Sequence, residues 1–111
     1  MNHIHLIEIA FFENQLERAC SYIEKYQSLH ITEYFFKKLK TYNPKLLANI
    51  YIQAVQKELE HTSNRSNYKR CTKLLAKVYP FASELILQCV KNLLSQYPTR
   101  TALKEELYLK F

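Results

Sequence analysis

The chain has 111 residues, a formal net charge of +6, and no glycine at all. Average usage would supply seven or eight glycines. Their absence argues against hairpin turns, phosphate-cradling loops and loop-built active sites, and for helices joined by short Asn, Ser, Thr and Pro connectors. Hydrophobic content of 48% supports a buried core and argues against whole-chain disorder. No apolar run approaches a membrane span, and the start, Met1 to Glu8, lacks a basic leader region.

Apolar residues recur at three and four along nearly the whole chain, which is the helical period. A first helix is predicted over 3–12, followed by a tight Glu13-Asn14-Gln15 connector with Asn14 in the turn position. The second helix covers 15–27, with Leu16, Ala19, Cys20 and Ile23 on one face. Residues 28–31 read as a connector, and Thr32 as the cap of a third helix over 33–41. Asn43-Pro44 is the strongest start signal, an N-cap followed by proline at the first helical position. The fourth helix runs from there to 61. It carries two adjacent apolar rows, Leu47/Tyr51/Val55 and Ala48/Ile52/Leu59, which predict burial on two sides. After a polar turn over 61–67, capped by Ser63 or Ser66, a fifth helix spans 65–79 and stops at Pro80. A sixth covers 81–97 and stops at Pro98. Thr99 caps a last helix bearing Leu103 and Leu107.

The expected fold is therefore all-α, one helical domain over 1–111 with about seven helices (1–42, then 43–111). Its short connectors make antiparallel hairpins of helices 1–2 and 5–6, stacked as a short α-solenoid of the tetratricopeptide kind. A compact orthogonal bundle is the rival arrangement, because periodicity defines faces and not connectivity.

The stretch 43–107 carries Pro44-x-x-Leu47-Ala48-x-x-Tyr51-x-x-Ala54-Val55, then Tyr68 and Leu74-Leu75, then Leu93-x-x-x-Tyr97-Pro-x-Arg100-x-Ala102-Leu103-x-x-Glu106-Leu107. In these residues it resembles the helical C-terminal region of bacterial SWIM zinc-finger proteins. The segment Phe12 to Ala19 is similar to the helical repeats that precede that region. The resemblance implies an interaction scaffold without assigned chemistry, as the tail of a longer protein or a stand-alone relative. The family's CxC and CxH zinc motif does not occur here, so none of its metal site carries over.

Charge is unevenly placed. Residues 1–33 carry a net −3, and residues 34–111 a net +9. The sharpest polar feature is a ladder on the fifth helix, Arg65, Lys69, Lys73 and Lys77, with Arg70 beside it. Cations at i,i+4 repel unless a polyanion offsets them, so the ridge is a candidate phosphate-tracking or partner-binding surface. The bland alternative is a solvated face opposite the Tyr68/Cys71/Leu75/Val78 stripe. The nine tyrosines and six phenylalanines fall mostly on core stripes, among them Tyr51, Tyr68, Tyr97, Phe11 and Phe35 or Phe36.

Cys20, Cys71 and Cys89 are odd in number, far apart and inside apolar patterns. They read as buried free thiols of a reducing, cytoplasmic compartment. His3 and His5 lie about 200° apart on a helix and cannot share a metal, and His30 and His61 sit at connectors. Glu106 is within reach of Arg100 or Lys110 for an exposed ion pair. No catalytic grouping has sequence support, and no cofactor, metal, small molecule or membrane is expected as a partner. The reading is a non-catalytic scaffold that binds a protein or a second copy of itself. The Ile4/Ile7/Phe11 face is the candidate self-association patch. The alternative is a nucleic-acid-associated module using the basic ridge.

Overall fold

The computed structural model describes residues 3–111, and these are all-α. Their order is α1 (His3–Phe12), α2 (Leu16–Tyr26), α3 (Leu29–Tyr34), α4 (Phe36–Tyr42), α5 (Pro44–His61), α6 (Arg65–Val78), a 3-10 turn (Tyr79–Phe81), α7 (Ser83–Gln96) and α8 (Thr101–Lys110). Among the described residues there are thus eight α-helices where the periodicity predicts about seven. The extra one arises because the third predicted helix starts earlier and breaks in the middle. Ser28 is its cap, accepting the Ile31 N–H at 3.3 Å. Thr32 lies buried one turn inside, donating its hydroxyl to the Ser28 carbonyl at 2.8 Å. The break falls at Phe35 (φ −101°, ψ 19°), whose ring is buried 5.4 Å from that of Phe11. Core burial of that ring outweighs the local preference for an unbroken helix.

The chain divides into two units, one ending at Ile50 and the other spanning Tyr51–Phe111, with the boundary inside α5. In the first unit, α1 and α2 pack closely through a three-residue connector. Asn14 takes the left-handed conformation there (φ 60°). The Asn14 N–H donates to the Phe11 carbonyl and the Gln15 N–H to the Ala10 carbonyl. That is the Schellman arrangement with asparagine in the glycine position. α2 ends one residue sooner than its periodicity predicts, because Gln27 is also left-handed (φ 44°). Asn43 caps α5 as its sequence predicts, accepting the Leu46 N–H at 3.2 Å, with Pro44 at the first helical position.

In the second unit the cap of α6 is Asn64, which accepts the Asn67 N–H at 2.9 Å. Ser63 lies one residue too early, and Ser66 lies inside the helix. Pro80 sits in the 3-10 turn that ends α6, as predicted. Pro98 follows α7, but Thr99 does not cap α8. That helix starts after Arg100 without a side-chain cap. α6 packs chiefly on α8, more than on the neighbouring α7 with which a hairpin is predicted. The 3-10 turn separates α6 from α7. The core residues here include Tyr51, Val55, Leu59, Tyr68, Leu75, Ile86, Leu93, Leu103 and Leu107.

Candidate interaction surfaces

α1 has seven apolar residues among ten, too many for one stripe. Only one side of it reaches the core. Ile7 is fully buried, Phe11 is 8% exposed, and Ile4 is half-buried. The Ile4/Ile7/Phe11 face is therefore the packed face of the helix and not the open patch expected from the sequence. The physical reason is that these three carry the i, i+3, i+7 spacing that best fills one groove. The apolar residues left outside are Ile9, 47% exposed, and Phe12, 92% exposed. Their signal in the sequence is the surplus itself. A helix with apolar residues on several sides and packed on one must leave the others in water.

Ile9 and Phe12 line an open cleft of 410 Å³ with Glu8, Lys38 and the edge of Phe11. Its rim charges are held by contacts within the unit. The Tyr34 hydroxyl donates to Glu8 Oε1 at 3.2 Å, joining α1 to α3. The Glu8 charge raises the Tyr34 phenol above its ordinary range, and this hydrogen bond adds to the rise. Lys38 Nζ stands 5.4 Å from the centre of the Phe11 ring, which is bracketed by Phe35 and Tyr42. The cleft thus is lined by apolar side chains, one carboxylate and one ammonium.

The basic ridge of α6 is less uniform than its sequence. Arg65 is not available as a simple surface cation. Its guanidinium reaches Glu105 Oε2 at 2.7 Å and Glu106 Oε1 at 3.3 Å on α8. The Glu105 hydrogen bond is the main reason that Arg65 holds its proton more tightly than usual. Arg70 pairs with Glu58 of α5. Lys69 and Lys73 are exposed and stay outward, and Lys77 is exposed on the same ridge. Two of the five candidate cations therefore serve internal bridges, and the ridge narrows to lysines.

Glu106 is buried and pairs with Arg65, in place of the predicted partners Arg100 or Lys110. Arg100 instead donates to the Leu59 carbonyl at 2.7 Å and the Thr62 carbonyl at 3.2 Å. These are carbonyls left over at the end of α5, where a cation also meets the negative end of the helix dipole. The Tyr97 ring lies 4.0 Å from the guanidinium carbon. Sequence reading cannot find these pairs, because their members stand about forty residues apart.

Cys71 and Cys89 are buried, as predicted, and burial pushes both thiols up to about 11. Cys20 is only half-buried. Burial also raises its thiol, against the opposing effect of an Asn43 hydrogen bond. His3 stacks on Tyr26 with ring centres 3.7 Å apart, while His5, His30 and His61 are exposed. His30 lies within α3 and His61 ends α5. Among the described residues, no three His, Cys, Asp or Glu side chains are placed to hold a metal ion. No described helix is long and apolar enough to cross a membrane. No protein-family model, curated protein or solved structure matches the chain.

Proposed function

We propose that this protein is a non-catalytic helical scaffold that binds a protein partner through the outward face of α1. One observation carries the reading: Phe12 is 92% exposed beside Ile9 in a cleft of 410 Å³. Burying a phenylalanine ring is worth about 1.5–3 kcal/mol, so an accessible ring at a cleft is a favourable anchor for another surface. A polar rim around an apolar centre is the usual anatomy of such contacts. Stacking of the helical pairs as a short solenoid, kinship with the helical tail of SWIM zinc-finger proteins, and a reducing cytoplasmic setting belong to the same proposal.

The test is site-specific crosslinking in the native cell with a benzophenone amino acid at position 12. A discrete adduct at position 12, missing when the same group is placed at the exposed Gln53, supports the reading. No adduct at position 12 sinks it.

A further inference from the structure

The cleft on α1 has a property that selects its occupant. An isologous contact places one patch against itself across a twofold axis, so the patch must be its own complement. A rim of a single sign fails that condition. The rim here holds one of each sign, Glu8 and Lys38, around Ile9 and Phe12. Neither rim charge is spent inside the chain on the other. The Arg65–Glu105, Arg65–Glu106 and Arg70–Glu58 ion pairs lie in the second unit, and Glu8 and Lys38 take part in none of them. Glu8 is held by the Tyr34 hydroxyl and Lys38 by the Phe11 ring, so both are positioned before any contact forms.

Net charge also discriminates between the two units. Residues 1–50 hold six basic and five acidic side chains, a net of +1, whereas 51–111 hold ten and five, a net of +5. Two copies meeting through the second unit bring like charge together. Meeting through α1 avoids that cost.

We infer that the occupant of the α1 cleft is a second copy of this chain, related by a twofold axis, with Glu8 of each copy facing Lys38 of the other and the two Phe12 rings buried between them. This rests on the proposed function of the α1 face and names its partner.

The experiment is sedimentation equilibrium on the full chain up to about 500 µM, a range suited to an interface of small area. Wild type is expected to form a dimer. Phe12→Ser is expected to weaken it about 30-fold, as for loss of a central anchor. Glu8→Lys alone and Lys38→Glu alone each place like charges across the axis and are expected to weaken it about tenfold. An equimolar mixture of those two variants restores opposite charges at both contacts. It is expected to form a mixed dimer within about threefold of wild-type strength. Thermal melts show whether each variant is folded, and the mixture removes dependence on them, since it contains the same two folded chains. A wild-type monomer throughout the range, or a mixture no stronger than its components, overturns the second-copy inference. A position-12 adduct at a mass other than twice the chain overturns it too, while leaving the scaffold reading standing. Absence of any adduct removes the reading itself.

Discussion

In the residues up to Ile50 the helices meet through rings: Phe11 on Phe35 and Tyr42, Tyr34 against Phe35, and His3 on Tyr26. In Tyr51–Phe111 the elements around the core are joined by guanidinium groups, with Arg65 on two α8 carboxylates, Arg70 on Glu58 and Arg100 on the carbonyls that end α5. The difference lies in reach and direction. Stacked rings stabilise by area and tolerate several offsets, so an aromatic-rich unit can leave surplus rings outside. A guanidinium fork is directional and consumes specific acceptors. That is why the second unit, with most of the positive charge, spends its arginines internally and shows lysines to solvent. Counting cations along a helix thus overstates its free charge, and the α6 ridge is the instance.

The largest effect is expected at Phe35. Phe35→Ala removes a buried ring from the aromatic cluster, and about 3–5 kcal/mol of stability should be lost in denaturant titration. A loss below 1 kcal/mol would mean that rings do not hold the first unit.

The two buried thiols sharpen it on the other side. Their folded-state values near 11 lie above the ordinary value of 9. A raised value means that the folded state holds the proton more tightly. The contribution is therefore fully present below pH 9 and disappears as pH rises toward 11. That interval corresponds to about 2–3 kcal/mol per thiol. Urea unfolding at pH 8 and pH 11 should show a drop, and Cys71→Ala/Cys89→Ala should make it smaller.

Next in size is Arg100→Met, which keeps the aliphatic stem and deletes two charge-assisted hydrogen bonds. A loss of about 1.5–3 kcal/mol is expected. Amide exchange should quicken first at 59–64, while α1 and α2 keep their protection.

The smallest effect should be a gain. Gln27 holds a left-handed conformation with a side chain that disfavours it, and Gln27→Gly should add about 1 kcal/mol. No gain would show that the glutamine side chain compensates for its backbone.

Much of the helical layout is legible residue by residue. Asn14 in the left-handed turn, the Asn43-Pro44 start, and the stops near Pro80 and Pro98 all follow from local chemistry. Boundaries slip where neighbouring capping residues compete, as with Ser28 and Thr32, or with Ser63, Asn64 and Ser66. The caps chosen are those whose backbone is extended and whose side chain reaches the N–H three residues on. The split at Phe35 was not legible, because its cause is a ring on another helix. For the candidate surface, the sequence names Ile4, Ile7 and Phe11, whereas the fold turns Ile7 and Phe11 inward and leaves Ile9 and Phe12 outside.

The sequence by itself determined that this chain is helical, where most of its helices start and stop, and that it turns without glycine by using asparagine and proline. Those choices depend on interactions within four or five residues. Only the tertiary structure decided that Ile7 and Phe11 go inward while Ile9 and Phe12 stay outside. It alone matched Arg65, Arg70 and Arg100 to their partners. A helix with seven apolar residues among ten has too little polar surface to dictate which side turns inward. A charge cannot choose among acceptors until packing has brought one within reach.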